Sequence, residues 1–457
     1  MRDLLNATAE RAIRYLETLD DRSIAPSPRA VAALARIDEP LPEGPSDPAA
    51  VFATLDDLGS PATMAMAGRR FFGWVIGGSL PATVAANWLA TAWDQNAAGW
   101  QSSPAAAAFE QVAQRWLVDA LGLPPDCAAG FVTGATMANF ACLAAARQTV
   151  LKKAGWDVEA DGLFGAPPIT VIVGDEVHVS VLKALGLLGL GRNRVLRVPV
   201  DAQGRMRPDR FPAVTGPAIL CLQAGNVNTG AVDPLADLCV LARRAGAWVH
   251  VDGAFGLWAT ASPRRATLLA GVAAADSWAT DAHKWLNVPY DCGLAFVRDA
   301  RVLQTAMAMT AAYLSDAPER KPSEFTPELS RRARGVEVWA ALKQLGRAGL
   351  AEMIERCCCH AERFAAGLRA AGYEVLNEVV LNQVLVSFGD ASTTRRVIEA
   401  LQADGTCWCG GTEWQGRTAM RISVSSWATT EADVEKSLAA MLRVAAKVRA
   451  GQAASVA

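Results

Sequence analysis

Asp276-Ser-Trp-Ala-Thr-Asp281-Ala-His283-Lys284-Trp285 sets a lysine directly after a histidine, downstream of a second dense stretch, Trp248-Val-His250-Val-Asp252-Gly-Ala254-Phe-Gly. Val249, His250 and Val251 read as a buried strand, and Gly253 and Gly256 as its exit. Asp252 therefore stands at the carboxyl end of a strand, where open α/β sheets bind their ligands.

A lysine amine condenses with an aldehyde to an imine, which holds a carbonyl cofactor until an amino substrate displaces it. Lys284 is the anchor this chemistry needs. An electron-sink pyridine ring also needs a protonated ring nitrogen, and so a buried carboxylate against it. Asp252 supplies that charge, and the cofactor expected is pyridoxal 5'-phosphate.

A third requirement of that cofactor is a phosphate site. Gly130-Phe-Val-Thr-Gly134-Ala135-Thr136-Met-Ala-Asn139 is a small-residue turn that opens a helix, so its free N–H groups and positive dipole end suit a dianion. The same residue types also serve as plain helix caps. Ala135 and Thr136 are the expected contacts. Of the four histidines, at 178, 250, 283 and 360, three fall in these segments. His178 follows the strand Thr170-Val-Ile-Val, where its imidazole could lie on the ring and face the substrate.

At 457 residues the chain can bury a large core and divides into more than one domain. Its net charge of -2 and pI near 6.2 give no electrostatic case for nucleic acid or an anionic membrane as partner. The first residues have no signal-type apolar core and no later run approaches a membrane span, so a cytoplasmic protein is expected. The ten cysteines read as reduced core residues. In Cys357-Cys358-Cys359-His360 consecutive ligands on one helix would diverge, so no metal site is expected.

Leu4, Leu5, Ile13, Leu16 and Leu19 give an amphipathic first helix, followed by a Pro/Gly/Asp-rich linker with short helices over residues 26–61. Three parts are expected: an N-terminal helical segment (1–70), a large α/β domain (71–335) and a long helix with a small α+β domain (336–457). In the middle part helical patterns alternate with short strands such as Ile219-Leu-Cys-Leu and Gly293-Leu-Ala-Phe-Val, the mark of a mostly parallel sheet with flanking helices.

These motifs resemble those of the group II pyridoxal-phosphate-dependent decarboxylases, the aromatic-amino-acid, tyrosine, histidine and glutamate decarboxylases, over nearly the whole chain. Asp281-Ala-His283-Lys284-Trp285 is similar to the family's Asp-Xaa-His-Lys-Trp, and His250-Val-Asp252-Gly-Ala254 to its His-Val-Asp-Ala-Ala. The resemblance implies fold type I, the aspartate aminotransferase-like architecture, as a homodimer with active sites at the subunit boundary and the N-terminal helices clasping the partner. It carries the ring-stacking role to His178, phosphate contacts to Ala135, Thr136, Thr280 and His283, and further cofactor contacts to Asn228 and Ala254. Trp74, Val75 and Trp100 match substrate-pocket segments, and Phe325 is a further substrate-contact candidate. The implied activity is decarboxylation of an L-amino acid, aromatic or otherwise hydrophobic, to its amine.

One departure matters. The family places a tyrosine on a mobile loop to support protonation after carbon dioxide leaves, but residues 314–330 contain none. Tyr313 precedes the loop, and Phe325, the aromatic nearest that position, has no proton to give. His178 could take the task. Relatives with phenylalanine there resemble aldehyde synthases, and a carbon–carbon lyase acting on a β-hydroxy amino acid would also dispense with the tyrosine. Arg421 could clamp an α-carboxylate, which opposes its loss, or form a structural ion pair; Arg332 and Arg334 read as structural. A non-catalytic cofactor- or metal-binding module is the remaining alternative.

Overall fold

The computed structural model describes residues 1–309 and 319–456, with side chains described to residue 451. Tyr313 and the first part of the 314–330 loop lie outside the described residues. Two compact units emerge. One comprises Met1–Ile76, His360–Leu376 and Val384–Ala457, and the other Gly77–Cys359 and Asn377–Gln383.

The larger unit is built on seven strands: β1 (Ala128–Val132), β2 (Thr170–Gly174), β3 (Leu196–Val198), β4 (Ala218–Gln223), β5 (Trp248–Asp252), β6 (Ser277–Asp281) and β7 (Gly293–Val297). They run in the order β1-β7-β6-β5-β4-β2-β3. β7 is antiparallel to both neighbours and the other pairings are parallel. β1, β4, β5, β6 and β7 are buried along their whole length, as strands covered on both faces are. The helix Ala135–Lys153 covers the sheet through Ala138, Ala141, Ala144 and Ala145, small side chains that allow close approach.

The parallel strands bring their carboxyl ends to one edge. Gln223 of β4 pairs with Asp252 of β5, and Asp252 with Ala279 of β6. The antiparallel β7 begins there too, with Gly293 opposite Asp281 and Val132. The turns after β1, β2, β4, β5 and β6 thus share the ligand-binding edge of an α/β sheet.

The smaller unit carries a four-stranded sheet, in the order β10 (Gly410–Trp414), β11 (Arg417–Ser423), β9 (Gln383–Ser387) and β8 (Glu374–Val375). N-terminal and C-terminal residues meet in it: the Phe71 ring stacks on Trp408 at 5.2 Å, and the two residues form a β-bridge. The first helix, Arg2–Glu17, buries none of its residues, and Leu5, Ile13 and Leu16 are exposed. The expected linker at 26–61 is more ordered than its composition implies. Pro48–Ala62 is a helix, because Pro48 occupies its first turn, where a missing N–H does no harm, and Pro61 falls at its end.

Candidate active site

Asp281, the last residue of β6, is nearly fully buried, and its carboxylate gathers three of the expected groups. Oδ1 accepts the Ala135 N–H at 2.5 Å, Oδ2 pairs with Lys284 Nζ at 2.9 Å, and His283 Nε2 lies 3.5 Å from Oδ1. The Ala135 N–H is unsatisfied within its own helix, being in the first turn, and carries the positive end of the dipole. Gly293 makes this turn possible: a Cβ there would fall 2.4 Å from the Gly134 backbone.

His283 is buried against Tyr290, ring centroids 4.2 Å apart, and its Nδ1 accepts the Cys292 N–H at 3.1 Å. Burial lowers its pKa against the pull of Asp281, so near neutrality the ring is uncharged, with Nδ1 accepting and its proton on Nε2 toward Asp281 Oδ1.

Asp252 forms the second centre. Its Oδ2 accepts from Asn139 Nδ2 at 3.1 Å and Ser180 Oγ at 3.3 Å, and its Oδ1 from the Ala254 N–H at 3.2 Å. Ser180 Oγ also lies 2.7 Å from His178 Nδ1, so the hydroxyl stands between His178 and Asp252. His178 is the N-cap of the helix Val179–Leu187, its Nδ1 accepting the Ser180 N–H. The capping and functional readings thus fall on one side chain. Behind Asp252, His250 Nε2 lies 2.8 Å from Asn139 Oδ1.

Ala254 ties the two centres: its carbonyl accepts the Asp281 N–H at 2.9 Å and the Thr280 hydroxyl at 3.4 Å. Thr280 is fully buried with its proton committed there. Thr136 follows Ala135 in the first helical turn, half-buried. In the 225–230 turn Asn226 is the buried asparagine, donating to Glu176 Oε2 at 2.9 Å and accepting the N–H of Asn228 through Oδ1. Trp100 is half-buried on the turn before the helix Pro104–Ala120.

Phe325 corrects the sequence reading. Its ring is 5% exposed in the core cluster with Ala128, Val132 and Leu303, and the Arg320 guanidinium lies over it at 3.9 Å. An aromatic ring packed this way fills the core rather than a substrate pocket. Trp74, Val75 and Arg421 belong to the smaller unit. Trp74, half-exposed at φ 49°, lies 4.5 Å from the Trp408 ring, and Val75 is buried at φ 62°. Arg421 stands on β11 opposite Gly410, its pKa lowered by burial. Of the structural arginines, Arg332 pairs with Glu337 and Arg334 with Asp291.

Sequence reasoning passed over Asp281, Asn139, Ser180 and His250 as site residues. Asp281 and His250 were signalled by their motifs, but Asn139 and Ser180 support the site through contacts between distant residues.

The donor set fits pyridoxal phosphate: an amine, a helix N-terminus already holding an anion, a buried carboxylate, and an imidazole linked to it. Residues 34–389 match the family described as the pyridoxal-dependent decarboxylase conserved domain. The chain is 26% identical to an aromatic-L-amino-acid decarboxylase of Bacillus atrophaeus, across 98% of this chain and 95% of that protein. It is 28% identical to a 4-hydroxyphenylacetaldehyde synthase of Rhodiola rosea, across 74% of this chain and 72% of that protein. The crystal structure of Oryza sativa TDC with PLP and tryptamine superposes with a TM-score of 0.90 at 23% identity, covering 98% of this chain and 97% of that one.

Proposed function

Given that the chain belongs to the pyridoxal-dependent decarboxylase family, with pyridoxal phosphate as cofactor, we propose that it converts an aromatic or other hydrophobic L-amino acid to its amine and carbon dioxide. The observation that carries this reading is the pairing, at one sheet edge, of the Lys284 amine with the buried carboxylate of Asp252. When bound, the cofactor supplies an aldehyde for amines and a ring that takes up the electron pair of a broken Cα bond.

The chain's own residues divide the remaining work. Lys284 is the amine that binds the aldehyde. The N–H groups of Ala135 and Thr136 and the Nε2–H of His283 would hold the phosphate, and Asp252 would keep a positive charge on the ring nitrogen. His178, held by Ser180 beside Asp252, would cover the ring and could return a proton to Cα. The aromatic preference is supported by the Bacillus relative's name, and Trp74, Val75 and Trp100 are its proposed determinants. The exposed apolar residues of the helix Arg2–Glu17 support a homodimer, and ten free cysteines support a cytoplasmic setting.

A second reading, aldehyde synthesis or carbon–carbon cleavage, is favoured by one observation: residues 314–330 contain no tyrosine, and Phe325 is a core residue. Replacing Lys284 with alanine tests the shared basis of both. Visible absorbance of bound cofactor and turnover should disappear together; turnover that survives would sink the assignment.

A further inference from the structure

Four hydrogen bonds run in series from Trp248 to Asp252. Trp248 Nε1 donates to Ser277 Oγ at 2.9 Å, and Ser277 Oγ lies 2.9 Å from His250 Nδ1. His250 Nε2 lies 2.8 Å from Asn139 Oδ1, and Asn139 Nδ2 donates to Asp252 Oδ2 at 3.1 Å. His250, Ser277 and Asn139 are fully buried, so water does not substitute for any link.

The ends of the chain fix the protons between them. An indole N–H only donates, so Ser277 Oγ receives from Trp248 and has its own proton free for His250 Nδ1. An ionised carboxylate only accepts, so Asn139 must turn its NH2 to Asp252 and its oxygen to His250. Both ends require the same imidazole, uncharged, with its proton on Nε2. The reversed chain, with the proton on Nδ1 and the Asn139 oxygen toward Asp252, would require a protonated Asp252. Desolvation independently keeps His250 uncharged, pushing its pKa down to about 4 against the opposing pull of Asp252, the charged group nearest to it along the chain.

We propose that His250 is a positioning residue for the reaction: its Nε2–H holds the Asn139 amide in the orientation that donates to Asp252, and so keeps a donor on the carboxylate that would face the cofactor. This rests on the functional reading above, in which Asp252 faces the ring nitrogen. Removing the Nε2 donor would leave the buried Asn139 oxygen without a partner and free the amide to turn.

Two readouts test it. The first is the 15N spectrum of the His250 imidazole in the unsubstituted protein without cofactor, which needs no variant to fold. An uncharged ring protonated at Nε2 is expected, and protonation at Nδ1 would overturn the proposal. The second is the dissociation constant for pyridoxal phosphate, read by equilibrium dialysis. His250→Leu should weaken binding about tenfold or more, whereas His250→Gln, which can donate to the same oxygen, should stay within about threefold. Equal binding by His250→Leu, or equal losses in both variants, would overturn it. An unsubstituted chain that fails to bind pyridoxal phosphate would instead strike the functional reading, and this proposal with it.

Discussion

Asp281 holds the Ala135 N–H with one carboxylate oxygen and the Lys284 ammonium with the other, at 2.5 and 2.9 Å. A single buried carboxylate thus engages both the helix N-terminus proposed for the phosphate and the amine proposed for the aldehyde. On that proposal cofactor capture would require it to yield both, and its charge would then lie beside an incoming dianion.

Asp281→Asn should therefore tighten pyridoxal phosphate binding by about fivefold, the equivalent of about 1 kcal/mol. The amide oxygen still accepts from Ala135 while the charge is gone. Titration of the cofactor-free protein by absorbance measures this. Weaker binding would mean that Asp281 supports the bound cofactor rather than standing in its place.

Gly293→Ala should damage the phosphate turn. Its Cβ would fall 2.4 Å from the Gly134 backbone, and main chain cannot move aside as a side-chain tip can. A loss of about 2 to 3 kcal/mol in urea unfolding is expected, together with weaker cofactor binding. Gly99→Ala, where a Cβ meets nothing within 4 Å, is the control and should change stability by less than about 0.5 kcal/mol. Equal effects would show that the approach of β7 to the turn is not tight.

Arg331 donates to Glu110 at 2.8 Å and to the carbonyls of Ala97 and Phe131, all within the larger unit, with the ion pair essentially solvent-free. Arg331→Met strands the Glu110 carboxylate, leaving, among the described residues, only Arg320 at 3.6 Å as an ion-pair partner. Destabilisation of about 3 kcal/mol in urea unfolding is expected, and Arg331→Met with Glu110→Gln should recover part of it. A loss below about 1 kcal/mol would contradict the role of this pair as the anchor of the segment before the helix Gly335–Ala370.

His250 makes a signed prediction about acid. Burial depresses its folded pKa to about 4, below the ordinary 6.5, so the unfolded chain binds the extra proton first. Its contribution is complete above the unfolded value and is lost as pH falls toward the folded one, to a total on the order of 3 kcal/mol. Urea unfolding from about pH 7 to about pH 4 should show the unsubstituted chain losing stability relative to His250→Gln across that window. A constant difference between the two would contradict it.

The parts of the site legible in the sequence are those carried by contiguous residues. A β-branched strand ending in Asp252, a small-residue turn before a helix, and lysine after histidine each declare themselves within ten residues. Of the strand Ala128–Val132 only Gly130, Phe131 and Val132 fall in that turn, and Ala128, Ala129 and Gly130 lack the β-branched signature; Gly130 is small because a Cβ there would fall 2.0 Å from the Phe325 carbonyl oxygen. What escaped depends on pairings between distant positions. His250 meets Asn139 across 111 positions, and Arg331 meets Glu110 across 221. Phe325 was misplaced for the same reason, since its environment is set by β1 and the helix Ala300–Met307 rather than by its own loop. The pairing of Phe71 with Trp408 likewise joins the two ends of the chain in one unit, which no local pattern announces.

The most direct test of the central claim is product analysis by mass spectrometry, on the cofactor-loaded protein incubated in air with aromatic, aliphatic, acidic and β-hydroxy L-amino acids. The account predicts an amine lighter than its substrate by one carbon dioxide, formed in equal amount with the gas, from an aromatic or other hydrophobic member. An aldehyde with ammonia and peroxide, or glycine with an aldehyde, would contradict it and establish aldehyde synthesis or carbon–carbon cleavage in its place.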